Sequence, residues 1–294
     1  MLRTTAVGER IVVARILLQT TIPSNDDDWD VRRFSMLADE LRVAGHAVTE
    51  RDRDRGFRPD AVLSRLDMLE FDELWLMAVD TGDGLAKDDA TGILRFRARG
   101  GAVLTARDHE NVGCCLCSLG TLGRMNHFNR FNPDRALLPD DRDNPNIAPP
   151  NFHSGANGDY QPVLVHGPVH EILRTTGGRG DRIEWFPAHP HEGAISAPSE
   201  LDFARVVAQG RSSATGRRFN LAAAVDGERL ASGRPMGRAV VTSTFHQFAD
   251  YNWDIDRGAP SFVTEPPGSE IKRDPARLAT YMDYVVNVAR WLAP

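Results

Sequence analysis

The chain has 294 residues, with 35 Lys+Arg against 41 Asp+Glu and a formal net charge of −6. That balance offers no basic surface for nucleic acid or an anionic membrane, and a composition of 41% hydrophobic and 26% charged residues excludes disordered and collagen-like chains. Such a length can bury the core of one large domain or two small ones.

The first apolar run, Ile11 to Leu18, is interrupted by Arg15 and is too short to span a bilayer. Thr20-Thr21-Ile22-Pro23 follows it in place of a small-residue cleavage site, so a cytoplasmic location is expected. Ile11 to Gln19 predicts a strand buried on both faces. Asp26, Asp27 and Asp28 supply capping carboxylates for a helix carrying Phe34, Leu37, Leu41 and Ala44, which Gly45 ends. A second strand is expected at Ala47 to Arg51. Pro59 suits the first turn of a helix with Val62, Leu66 and Leu69, and Phe71 to Val79 predicts a third strand. Lys87 to Arg99 reads as a helix with Ile93 and Phe96 inward; Gly100-Gly101 ends it before a fourth strand at Ala102 to Ala106.

From residue 120 to 165 the pattern dissolves into an Asn- and Pro-rich insertion, read as a lid or an interface. A short helix is expected at Val169 to Arg174, then strands at Arg182 to Phe186, Phe203 to Ala208, Phe219 to Val225 and Arg238 to Ser243. Asp274-Pro275 opens a C-terminal helix with Leu278, Met282, Val285 and Leu292 on one stripe. There is no composition break and no internal repeat, which predicts a single domain over 1–294. The expected fold is α/β, a mostly parallel doubly wound sheet with the insertion at 120–165.

In such sheets ligands bind beyond the carboxyl ends of the strands. The residues there are Thr20 and Thr21, Asp80 and Thr81, Arg107-Asp108-His109-Glu110, and Thr244-Phe245-His246. His189-Pro190-His191-Glu192-Gly193 is the densest polar cluster. Its H-x-H spacing in extended chain turns both imidazoles to one side, where they could share a divalent cation with a carboxylate, although a Pro-containing turn with hydrogen-bonded histidines fits equally. Gly82-x-Gly84 lacks the third glycine of a dinucleotide fingerprint. His153, His166 and His170 lie in and around the insertion and would join a site if it folds over as a lid. Trp75, Trp185 and Trp253 read as core, with Trp253 also placed to stack on a sugar-like ligand. Cys114, Cys115 and Cys117 are too closely spaced for a disulfide framework and lack the pair spacing of a zinc site, so reduced, packed thiols are expected.

Gly100-Gly101, the Ala102–Ala106 strand and a sharp turn at Arg107-Asp108-His109 resemble the nucleophile elbow of the class I glutamine amidotransferase-like superfamily. With the order of the first four strands and the late Gly237-Arg238-Ala239-Val240-Val241-Thr242-Ser243 strand running into His246, the chain is similar to the ThuA-like (trehalose-utilisation-like) branch over residues 10–118 and 160–250. The resemblance implies a flavodoxin-like, glutamine amidotransferase-like fold. It departs at the elbow, where that superfamily carries a cysteine and this chain has Ala106-Arg107-Asp108-His109, so glutamine amidotransferase activity is disfavoured. The expectation is an enzyme acting on a small polar, carbohydrate-derived metabolite by hydrolysis or His-based acid/base chemistry. His109 and His246 serve as acid/base groups or ligands, Asp108 orients an imidazole, and Asp80, Arg107, His189, His191 and Glu192 bind substrate, or a metal in the case of the 189–192 cluster. The alternative is a catalytically silent binding or assembly subunit using the insertion as interface. Expected partners are a small-molecule ligand, without nucleic acid or membrane. No cofactor is named; a divalent metal and a homo-oligomer stay open.

Overall fold

The computed structural model describes residues 13–23, 28–56, 58–128, 154–176, 180–213 and 216–294. Its main sheet has seven strands in the order β2-β1-β3-β4-β11-β10-β9. These are β1 (Arg15–Pro23), β2 (Ala47–Arg53), β3 (Glu73–Met77), β4 (Ala102–Ala106), β9 (Ala204–Arg211), β10 (Arg218–Val225) and β11 (Ala239–Thr242). The first five in that order run parallel, and β10 pairs antiparallel with both β11 and β9. This is the doubly wound order in which the chain reverses direction across the sheet beside β1. Two short ladders lie apart from it: β5 (Asn126–His127) with β8 (Ala194–Ile195), and β6 (Tyr160–Pro162) with β7 (Trp185–Pro187).

Alternating strand residues build a core on each face. Ile16, Leu18, Trp75, Met77 and Leu104 meet α1 (Ser35–Val43) and the C-terminal helix Pro275–Leu292 on one side. Leu17, Leu74, Leu76 and Val103 meet α2 (Lys87–Ala98) and the 3-10 turns on the other. No helix among the described residues is long and apolar enough to cross a membrane.

Several boundaries differ from expectation for local reasons. β1 runs on through Thr20 and Thr21 because their hydroxyls find carboxylates, Asp52 at 2.6 Å and Asp80 at 3.0 Å; Ile11 lies outside the described residues. The first helix is capped by Asp30, whose carboxylate accepts the Arg32 amide at 2.8 Å and opens a 3-10 turn ahead of α1. Asp28 instead accepts from the Ser261 amide at 2.8 Å, and Asp26 and Asp27 lie outside the described residues. The segment after Pro59 forms a 3-10 helix, Leu63–Met68, and not the expected α-helix. Asp60 accepts both the Val62 and Leu63 amides at 2.9 Å, and Arg65 leaves helical geometry at φ −124°. Val169 to Arg174 contains only the 3-10 turn Glu171–Leu173. Of the tryptophans, Trp75 and Trp253 are buried, whereas Trp185 is half-buried under the Arg277 guanidinium, 3.8 Å from its ring centre.

Glu73 sits fully buried at the start of β3, with one carboxylate oxygen accepting the Trp75 indole N–H at 2.8 Å. Burial pushes its pKa up from 4.5 to about 8. An acid raised on folding stabilises the fold below its unfolded pKa and loses that contribution as pH climbs through the folded one. Stability is therefore expected to fall between pH 4.5 and about 8, by on the order of 1 kcal/mol per pH unit. Thermal melts of wild type and Glu73→Gln across that range check this; a wild-type slope that persists unchanged in Glu73→Gln contradicts it.

Candidate functional site

Register sets the site. In the β4–β11 pair Thr242 lies opposite Ala106, so the chain leaves both strands side by side, and the Phe245 amide donates to the Arg107 carbonyl at 2.7 Å. The Gly193 amide donates to the Ser243 carbonyl at 2.7 Å, which draws the His189-Pro190-His191-Glu192 loop to the same strand ends. Only glycine fits at 193, because a Cβ there would lie 2.1 Å from Arg107 Nε.

Three imidazoles surround one carboxylate. Oδ2 of Asp108 lies 3.0 Å from His109 Nδ1, 3.0 Å from His246 Nε2 and 3.6 Å from His191 Nδ1. Asp108 is 3% exposed, and its Oδ1 has no hydrogen-bond partner among the described residues. Burial alone would raise the Asp108 pKa, but the charge of His246, the hydrogen bonds of His109 and His246 and the nearby His191 imidazole overcome it and hold the carboxyl well below its ordinary range. His109 moves the other way: burial lowers it, and the Asp108 carboxylate more than compensates.

The cluster opens into a cavity of about 450 Å³ whose walls include Trp29, Val79, Phe245, Phe262, Tyr251 and Glu265. Tyr251 Oη lies 2.7 Å from His246 Nδ1, and Glu265 Oε1 lies 3.9 Å from His191 Nε2. The far nitrogen of each of these imidazoles thus faces an oxygen.

The remaining expected site residues stand behind this cavity. His189 and Glu192 are both fully buried, His189 Nε2 lying 3.2 Å from Glu192 Oε1 while Nδ1 pairs with the His191 carbonyl. Burial pushes the His189 pKa well down. Arg107 is fully buried, donating to the carbonyls of Asp108, His127, Ala194 and Glu110, with its guanidinium 3.8 Å from the Phe128 ring centre. Asp80 accepts from Thr21, from the Gly82 amide and from the Cys115 thiol at 2.8 Å. Neither Arg107 nor Asp80 lines the cavity. Nor do His166, which pairs with Arg218, and His170, which accepts the Ile172 amide at 3.3 Å. His153 lies outside the described residues. Trp253 is committed to the core, donating to the Gln247 carbonyl at 2.7 Å.

No α-helix starts directly after β4. The chain wraps around the Arg107 guanidinium, with Glu110 at φ +48°, and resumes regular structure only as the 3-10 turn Cys114–Ser118. The expected elbow therefore lacks its helix because Arg107 takes the Asp108 and Glu110 carbonyls. The three cysteines are free, Cys114 and Cys115 buried. Burial pushes the Cys114 thiol up to about 11 and Cys115 well above the ordinary thiol range, so both stay protonated and unreactive at neutral pH.

The sequence reading missed Tyr251, Glu265, Trp29 and Phe262. Tyr251 follows His246 by five residues across a 3-10 turn, and Glu265 stands in a Pro-rich loop; neither spacing is a recognised signal. No family model and no curated protein matches the chain.

Proposed function

We propose that this chain is an enzyme of the ThuA-like branch of the class I glutamine amidotransferase-like superfamily, hydrolysing or moving a proton on a small, neutral, polar metabolite without a catalytic thiol. The observation that carries this reading is the convergence of His109, His191 and His246 on the Asp108 carboxylate at the floor of a cavity. Strand ends of this architecture are where ligand sites form. His109, with its side chain 20% exposed, is the imidazole placed to exchange a proton with a ligand, and Asp108 orients it. Among the described residues no lysine or arginine lines the cavity, and two carboxylates do, which disfavours anionic substrates. Trp29 and Phe262 offer apolar faces of the kind that pack against sugar rings.

The test is a panel of neutral sugars, sugar lactones and p-nitrophenyl esters assayed with wild type and His109→Gln. Turnover of at least one member, reduced about 10²–10⁴-fold in His109→Gln at unchanged melting temperature, is expected. Equal rates in the two proteins would overturn the proposal.

A further inference from the structure

Asp108, His191 and His246 each offer one ligand-type atom, and those atoms all lie within 4.8 Å of one another. Ligands about 2.0–2.2 Å from one zinc-like ion stand roughly 3.0–3.6 Å apart at octahedral to tetrahedral angles. The Asp108 Oδ2 separations of 3.0 Å from His246 Nε2 and 3.6 Å from His191 Nδ1 fall in that range. We propose that these three side chains hold one divalent first-row transition-metal cation, with its open coordination positions facing the cavity.

Four further features support the site. Asp108 Oδ1 and His191 Nδ1 are buried without a hydrogen bond among the described residues, which is costly for polar atoms unless something else engages them. Metal-binding imidazoles use one nitrogen and engage an oxygen with the other. His246 meets Tyr251 Oη at Nδ1, and His191 faces Glu265 at Nε2, leaving the Asp108-facing nitrogens to bind. The Tyr251 hydroxyl both donates and accepts, so it can serve either tautomer of His246. Behind them, His189 fixes the His191 backbone through its Nδ1. Two imidazoles with one carboxylate select a zinc-, iron- or cobalt-type ion over magnesium or calcium, which prefer all-oxygen sites.

The inference rests on the same cavity as the proposed enzyme but fails separately from it. Full-length protein freed of metal with EDTA and dialysed is titrated with Zn²⁺ by calorimetry. Saturation at a single equivalent is expected, weakened at least about 100-fold in His191→Ala and Asp108→Ala, and about 10–100-fold in Tyr251→Phe, where an outer partner is lost. His109→Ala should likewise cost about 10–100-fold and less than the loss of a ligand, since His109 binds the ligating carboxylate and not the metal. Spin-echo spectroscopy of Cu²⁺-loaded wild type gives a readout without variants, and coupling to two imidazole nitrogens is expected. Absence of Zn²⁺ binding, binding indifferent to His191→Ala, or no imidazole coupling overturns the metal site. Turnover in a protein that binds no Zn²⁺ upholds the enzyme and overturns the metal; Asp108-dependent Zn²⁺ binding in a protein that turns over none of the panel does the reverse.

Discussion

Asp108→Asn is expected to reduce turnover about 10²–10⁴-fold, well beyond its effect on the fold. The amide keeps the shape of the carboxylate but removes the charge that orients His109 and His246. On the stability side, the wild-type group is a carboxylate at 3% exposure with one oxygen unpartnered among the described residues. The imidazoles around it more than offset its burial and hold its pKa well below the ordinary range, so the ionised group adds stability at neutral pH that the amide forgoes. Steady-state kinetics on a panel substrate and calorimetric melts check the two halves together. A variant that melts well below wild type and loses activity only in proportion would mark Asp108 as a structural residue.

Arg107→Leu should behave in the opposite way, destabilising the protein by at least about 3 kcal/mol, because it strands several buried carbonyls at once. The guanidinium ties the turn after β4 to the β5 and β8 segments through His127 and Ala194. It also packs on Phe128 and fills the space that forces glycine at 193. Chemical denaturation measures the loss. A folded variant of wild-type stability whose KM alone rises would return Arg107 to the ligand-binding role expected of an arginine at a strand end.

What was legible in the sequence follows from which interactions are local. β4 reads correctly because five consecutive residues are buried on both faces, and a glycine pair precedes them. The positions of His109 and His246 after strands were legible for the same reason, and β4–β11 register then brings them together. The direction of β10 was available too: only residues 212–217 separate it from β9, too few for a parallel crossover. Other features depend on distant partners. Nothing near Arg107 in sequence reveals that its acceptors include His127 and Ala194, so neither its burial nor the loss of the helix after β4 could be read. The 3-10 segment after Pro59 depends on Asp60, itself held by Arg51 at 2.6 Å. The centre of the 120–165 insertion lies outside the described residues, but its C-terminal flank bears on the site, where the Ser154 hydroxyl bonds the His189 backbone at 3.0 Å.

The central claim is that ligand binds over Asp108. A crystal structure of wild type soaked with whichever panel compound is turned over tests it most directly. Density is expected in the cavity between Trp29, His109, His191 and Phe262, with a polar atom of the ligand within hydrogen-bond distance of an imidazole. Density confined to another depression, such as the one lined by Arg174, Arg205 and Trp291, with none over Asp108, would contradict the assignment.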